Sequence, residues 1–427
     1  MKGAMLRGIA SRLAICMGEN MKIIDGGITA AKGYQAASVA AGIKYQNRKD
    51  MSLIYSEVPC VAAGTFTKNV VKAAPVRWDQ EVVRNSKSVQ AIVANSGIAN
   101  ACTGEMGMEN NKAMAEAVAE KLNLTADMVL TASTGVIGKQ LNMDAVVKGI
   151  DKLTKSLSTT KEAGTLAAEA IMTTDTIKKE VAVQFEIDGK TVTVGGMSKG
   201  SGMIHPNMGT MLAFLTTDIA ISKELLQEAL YDDVQSTYNM ISVDGDTSTN
   251  DSCFLLANGM AGNTTITTKD DNYYRFVEAL NVVNTTLAKL MAGDGEGATK
   301  LLEVKVVNAV SKTEAITLSK SVATSSLVKT AVYGNDANWG RILCALGYAG
   351  VDFDPEKVDL YIESIDGKLK LVEDGMATDY SEEFATKILS GKEVCAIIDM
   401  KMGEAMATAW GCDLTYDYVK INADYRS

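Results

Sequence analysis

The residues best placed to do chemistry lie in segment 195–218, GGMSKGSGMIHPNMGTMLAFLTTD. Gly195, Gly196, Gly200 and Gly202 let backbone approach backbone and reach dihedrals closed to other residues. Pro206 then stiffens the chain and restricts His205 before it. Gly209-Thr210 follows, and residues 211–215, MLAFL, read as a buried strand. A lone threonine therefore sits between a flexible glycine and a rigid core element. That arrangement suits self-cleavage: the Thr210 hydroxyl attacks the preceding carbonyl, forms an ester, and water opens it. The product carries an N-terminal threonine whose α-amine titrates near 8, low enough to act as a local base. A hydroxyl with its base on the same residue needs no histidine. The same residues also fit a glycine-rich turn that feeds a core strand.

Other chemistries are thinly supplied. The chain of 427 residues has one histidine, His205, so multi-histidine metal sites and HExxH centres cannot be built. Seven cysteines (Cys16, Cys60, Cys102, Cys253, Cys344, Cys395, Cys412) are scattered, with no CxxC pair. Reduced thiols in a cytoplasmic compartment fit that pattern better than a disulfide scaffold. A net charge of −10 gives no attraction for phosphate, so nucleic acid is not an expected partner. No stretch of about 18 apolar residues is present, so no membrane partner is expected either. Hydrophobic residues at 47% supply a sizeable core, and the length suggests two or three domains. GDGEG at 293–297 lacks both nucleotide-loop spacings, and VDGDTSTND at 243–251 lacks the glycine and glutamate of a calcium loop. Asp244, Asp246 and Asp251 are expected to hold turns.

The elements that must position these residues alternate between strand and helix, which argues for a mixed α and β fold. Phe276, Leu280, Val283, Leu287 and Leu290 form one apolar stripe and predict a helix over 272–291. Met114, Val118 and Leu122 predict another over 110–122, and Ser222 is a good N-cap for a third. Asp188-Gly189 and Asp366-Gly367 each read as the turn of a hairpin. Two short strands, 89–94 and 128–131, are expected to end in the loops Asn95-Ser96-Gly97 and Ser133-Thr134-Gly135. Residues 1–20 read as an extension, with Met17 or Met21 able to serve as the start; a short targeting leader is the competing reading.

Segment 200–218 resembles the self-cleavage segment of the ornithine acetyltransferase (glutamate N-acetyltransferase) family. Further segments match in order: ANSGIANACTG (94–104), TASTGVIG (131–138), IMTTDT (171–176), VDGDTSTND (243–251), GDGEGATK (293–300), VKTAVYGNDANWGRI (328–342) and TAWGCDLTYDYVKINADYRS (408–427). The similarity runs from Met21 to Ser427.

The resemblance implies an αββα sandwich, built from both halves of a chain cut between Gly209 and Thr210, plus a smaller C-terminal α/β domain; we place the boundary near residue 290, which gives 21–290 and 291–427. It implies Thr210 as nucleophile, and Thr134 and Gly135 as an oxyanion pair of one hydroxyl and one backbone N–H. Thr173, Lys199, Thr210, Glu296, Asn422 and Ser427 match substrate-binding positions. The implied activity is ping-pong transfer of acetyl from N2-acetyl-L-ornithine to L-glutamate, without metal or organic cofactor. Acetyl-CoA is a possible second donor, and the implied mature form is an α2β2 heterotetramer. Three positions depart from the family pattern: Gly209 replaces a usual alanine, His205 a small residue and Ile98 an asparagine. The alternatives are a self-cleaving aminopeptidase or amidase on the same scaffold and an uncleaved binding protein. As bland counterparts, Glu296 would be an exposed acid after a helix, Lys199 a solvated lysine, Cys102 and Cys412 buried apolar residues, and His205 a turn-stabilising side chain.

Overall fold

The computed structural model describes residues 21–205 and 211–424. They divide into two compact units: residues 21–200, 211–238 and 247–287 form the first, and 201–205, 239–246 and 288–424 the second.

The first unit contains, in chain order, β1 (Lys22–Ile24), β2 (Tyr34–Val39), β3 (Met51–Phe66), α1 (Ala74–Asn85), β4 (Val89–Ile98), α2 (Gly104–Leu122), β5 (Val129–Val136), α3 (Met143–Lys155), α4 (Lys161–Ala170), β6 (Lys179–Ile187), β7 (Lys190–Lys199), β8 (Leu212–Thr217), α5 (Lys223–Ser236), β9 (Ser252–Ala257) and α6 (Asp271–Gly293), the last through Leu287. The strands hydrogen-bond in the order β1-β6-β7-β8-β9-β3-β4-β5, with β2 on β3. The long β3 joins two layers. Its first half pairs with β2 and β4, its second half with β9, and the register breaks between Tyr55 and Cys60. Pro59 falls at that break, where a residue without an N–H costs the ladder nothing.

Burial drives the layering. Ile54, Ile92, Ala94, Leu130 and Ala132 from β3–β5 share one buried cluster with Met197, Leu212, Phe214, Phe254 and Leu256 from β7–β9. The alternate residues Leu53, Ala91, Val93 and Val129 face the other way, onto Met114 and Val118 of α2 and Val146, Ile150 and Leu153 of α3. On the far layer, Gly196 of β7 backs onto Leu215, Val283 and Leu287, so α6 covers that outer face. The result is the αββα sandwich.

The second unit holds β10 (Leu301–Ala309), α7 (Lys312–Thr324), α8 (Ser326–Tyr333), α9 (Trp339–Gly347), β11 (Asp359–Ser364), β12 (Gly367–Glu373), β13 (Met376–Ala377), α10 (Glu382–Leu389), β14 (Glu393–Asp399), β15 (Ala405–Cys412) and α11 (Tyr416–Ala423). Its six-stranded sheet runs β13-β12-β11-β14-β10-β15. Among the described residues, no helix is long and apolar enough to cross a membrane. None of their acidic, cysteine or histidine side chains cluster in a way that could hold a metal ion.

Several local expectations are corrected. Asn95-Ser96-Gly97 and Ser133-Thr134-Gly135 are not loops: β4 runs through to Ile98 and β5 to Val136, paired in parallel. Polar side chains there are satisfied inside the sandwich, so the strand has no reason to stop. Helix α2 begins at Gly104, before the apolar stripe starts. The β11–β12 hairpin pairs Ser364 with Gly367, so Ile365 and Asp366 make the turn and Gly367 opens the next strand. Asp188-Gly189, with φ of 52° and 69°, has the positive values a type I′ turn needs.

Candidate functional site

The first unit gathers its site residues at the ends of β4, β5 and β7. Two glycines let the parallel strands β4 and β5 close on each other there. Gly135 has φ of 130°, and a Cβ on it would stand 2.2 Å from the carbonyl carbon of Gly97. No other residue fits. Beneath this contact the backbone is pinned. Ser133 Oγ donates to Asn95 Oδ1 at 2.7 Å, and Asn95 Nδ2 donates to the Ile98 carbonyl at 2.9 Å. Asn250 Nδ2 donates to the Ser133 carbonyl at 2.8 Å, and Ser96 Oγ to the Ala170 carbonyl at 2.8 Å. Ile98 is itself 7% exposed and packs in the apolar cluster under α2 and α3. An aliphatic side chain suits that position.

Thr134 and Gly135 emerge half-buried at the tip of β5, while Ala132 and Ser133 before them are buried. Lys199, the last residue of β7, is 8% exposed and no solvated lysine. Its Nζ donates to Thr134 Oγ1 at 3.2 Å. A hydroxyl that accepts from an ammonium keeps its own proton free to donate elsewhere. Thr134 is therefore set up as a donor toward developing negative charge, with the Gly135 N–H next along the chain.

Thr173 lies just beyond α4 and is tied to this group through Asp175, which sequence reasoning did not single out. Asp175 Oδ2 accepts the Thr173 N–H at 3.0 Å, and Oδ1 accepts the Gly200 N–H at 2.7 Å. Lys179 Nζ donates to Asp175 Oδ1 at 2.6 Å, with both side chains fully buried. Arg48, also unanticipated, donates to the Met172 and Thr173 carbonyls at 2.6 and 3.2 Å. Gly209 and Thr210 lie outside the described residues. Just after them, the Met211 carbonyl accepts the Ser252 N–H at 3.0 Å, and Leu212 pairs with Lys199 across β7 and β8.

The second unit carries Glu296 and Asn422. Glu296 is 6% exposed, so it is not the exposed acid that its Gly-rich loop permits. Asn422 Nδ2 on α11 donates to Glu296 Oε2 at 2.8 Å, and the Glu296 N–H reaches the Ser201 carbonyl at 2.8 Å. A Cβ on Gly202 would meet the Glu296 carboxyl carbon at 2.4 Å, so only glycine lets this carboxylate lie flat on the chain. Asp413 fixes the loop from below: its Oδ1 accepts the Thr299 and Lys300 N–H groups at 2.8 and 3.0 Å. Asp244 accepts the Met203 and Ile204 N–H groups at 2.6 and 2.8 Å, the turn-holding role expected of it. His205 Nδ1 pairs with Ser242 Oγ at 3.1 Å. Burial, then the Lys320 ammonium, depress its pKa to about 4 against the opposing pull of Asp246. Ser427 lies outside the described residues. Cys412 is buried, whereas Cys102 is exposed, with φ of 56°.

Comparison with known proteins gives a consistent set. A model described as "ArgJ family" matches residues 35–427. An "Arginine biosynthesis bifunctional protein ArgJ" of Caldanaerobacter subterraneus subsp. tengcongensis is 53% identical over 407 residues, 95% of this chain and 100% of its own. A protein of the same name from Thermotoga neapolitana is 51% identical over 397 residues, 93% of this chain and 99% of its own. Among solved structures, the arginine biosynthesis bifunctional protein argJ of Bacillus halodurans is 44% identical with a TM-score of 0.43, covering 44% of this chain and 98% of that one.

Proposed function

The chain belongs to the ArgJ family, and on that premise we propose that Thr210 is the self-generated nucleophile of its acetyl transfer. The protein is an acyltransferase of arginine biosynthesis. In the proposed reaction, cleavage after Gly209 frees the Thr210 α-amine. That amine takes the hydroxyl proton as the oxygen attacks the acetyl carbonyl of N2-acetyl-L-ornithine. The tetrahedral oxyanion is met by the Thr134 hydroxyl and the Gly135 N–H. Collapse breaks the C–N bond, the α-ammonium returns its proton to the departing amine, and ornithine leaves an acetyl ester on Thr210. The α-amine of L-glutamate then attacks that ester by the same steps in reverse, which releases N-acetylglutamate. Thr173 and Lys199 hold substrate, Glu296 pairs with the cationic end of ornithine, and Asn422 and Ser427 serve the same binding. Base and oxyanion donors all come from the chain, so the scheme calls on no metal or organic cofactor.

The observation that carries this reading is the Lys199–Thr134 hydrogen bond at 3.2 Å, which turns a threonine hydroxyl into a directed donor beside a glycine N–H. Two such pieces, each in two copies, make the proposed α2β2 assembly. The proposed compartment is the cytoplasm, in keeping with cysteines that are all free among the described residues. The test is chromatographic assay of acetylglutamate formed from acetylornithine and glutamate. Free acetate instead of acetylglutamate means that water is the acceptor and the protein an amidase. Acetyl-CoA in place of acetylornithine measures use of the second donor. Thr210→Ala should give an uncleaved, inactive chain; turnover in that variant contradicts the nucleophile.

A further inference from the structure

We propose that Asp175 is a positioning residue that fixes Thr173 and Lys199 relative to Thr134. Its carboxylate sits where three chain segments meet within the first unit. One oxygen accepts the Thr173 N–H at 3.0 Å; the other accepts the Gly200 N–H at 2.7 Å and the Lys179 ammonium at 2.6 Å. Gly200 follows Lys199, whose ammonium bonds Thr134 Oγ1 at 3.2 Å. A single side chain thus sets the distance between the turn that carries Thr173 and the strand end that carries Lys199.

A stability role accounts poorly for this choice of residues. Both members of the Asp175–Lys179 pair are fully buried, and an apolar pair of similar volume commonly serves a fold as well or better. What only a carboxylate supplies is two acceptor oxygens at a fixed angle. Asparagine offers one acceptor and turns an amide donor toward an N–H or an ammonium. Burial alone would keep the group protonated, but the Lys179 and Lys199 ammonium groups outweigh it and hold the carboxyl well below the usual range. The ionised form that accepts both N–H groups is therefore the one present. Arg48 fastens the same turn from its other side through the Met172 and Thr173 carbonyls.

The inference rests on the acetyl-transfer reading, and the experiment separates the two. Kinetics and melting temperature are measured for wild type, Asp175→Asn and the double variant Asp175→Asn/Lys179→Met. Asp175→Asn should lower kcat roughly 10- to 100-fold, with a smaller rise in KM for acetylornithine, because displacing Lys199 loosens Thr134, the proposed transition-state donor, beyond what the loss of the Thr173 and Lys199 substrate contacts alone would do. The double variant removes both buried charges, so its melting temperature should return toward wild type while kcat stays low. Recovery of kcat along with stability means the pair is only structural and overturns the proposal. Should these variants fail to fold, Asp175→Glu keeps the charge and shifts its oxygens by one methylene. A loss of kcat of tenfold or more there supports positioning, and wild-type kcat overturns it. Wild-type protein that forms no acetylglutamate defeats the functional reading and this inference with it. Active wild type with an active double variant defeats the inference alone.

Discussion

At the scale of single residues, the decisive group is a hydroxyl oriented by its neighbour. Thr134 Oγ1 accepts from the Lys199 ammonium, which leaves the threonine proton for the oxyanion of the proposed acetyl transfer. Thr134→Ala should therefore lower kcat by roughly 10²-fold, about 3 kcal/mol, and KM much less, since the lost bond matters most in the transition state. Steady-state kinetics check this; an equal loss in both parameters would point to ground-state binding. His205 gives a second residue-level test. It is the one histidine of the chain, so its imidazole signal is unambiguous in NMR of untagged protein. Burial and Lys320 hold it neutral down to about pH 4 in the fold, against 6.5 for the free side chain. The unfolded chain binds the extra proton between those values, so this histidine's contribution to stability is intact above pH 6.5 and is lost as pH falls toward 4. A measured midpoint near 6.5 would contradict its burial. Thr134, Gly135, Thr173 and Lys199 are marked by the resemblance, and the fold brings Lys199 onto Thr134. Asp175 and Asp413 stand in the same ordered motifs but carry no local signal of their own: an aspartate's role is set by which N–H groups it meets in the fold, and the Asp413–Thr299 contact spans 114 positions.

At the scale of elements, periodicity was a good guide and local turn chemistry an uneven one. The stripe from Phe276 to Leu290 gave helix α6, and Ser222 caps α5 by accepting the Leu225 N–H. Asp188-Gly189 made its hairpin turn; Asp366-Gly367 did not, because the register places Ile365, 87% exposed, at the tip instead. The Asn-Ser-Gly and Ser-Thr-Gly stretches read as loops because small polar residues usually leave a sheet, yet β4 stays buried along all ten residues. Pairing across the sandwich, invisible in one strand's own sequence, overrode that preference. How α5 and α6 hold together shows the same limit. Asp233 on α5 is buried and accepts from Asn281 Nδ2 and Asn284 Nδ2 of α6, each at 2.6 Å, and Tyr238 donates to Asn284 Oδ1 at 2.9 Å. Burial raises its pKa to about 6 despite those bonds. Asp233→Ala would strand one buried amide donor, on Asn284, and one half-buried one, on Asn281, at a cost of about 2 kcal/mol. Urea unfolding of an otherwise inactivated, uncleaved Thr210→Ala background reads that cost; a change under 0.5 kcal/mol, the range of ordinary surface substitutions, would mean water replaces the carboxylate.

At the scale of the whole molecule, the question is what a cut between Gly209 and Thr210 does to a fold already formed. It divides the chain into pieces of 209 and 218 residues. The first piece supplies β1–β7 and the second β8 and β9, and the sheet order interleaves them: β8 lies against β7, and β9 against β3. Each seam is a run of six paired residues, from Val194–Thr217 to Lys199–Leu212 and from Val61–Ala257 to Phe66–Ser252. Buried side chains cross the same seams. Tyr34 donates to the Thr217 and Leu256 carbonyls at 3.1 and 2.8 Å, Thr216 Oγ1 donates to the Ile28 carbonyl at 2.7 Å, and the Phe66 and Phe254 rings lie 6.0 Å apart. Parting the pieces would bare two strand edges on each and the apolar cluster between the layers, a combination that aggregates rather than dissolves. The proposed cut would therefore change connectivity and leave the sandwich in place. Purified protein should give two bands on a denaturing gel, yet elute from gel filtration in native buffer as one species with both pieces in equal amount. The first piece expressed alone should be insoluble. A soluble, separately eluting fragment of either half would show that the sheet does not depend on both, and that the junction is not where this fold is divided.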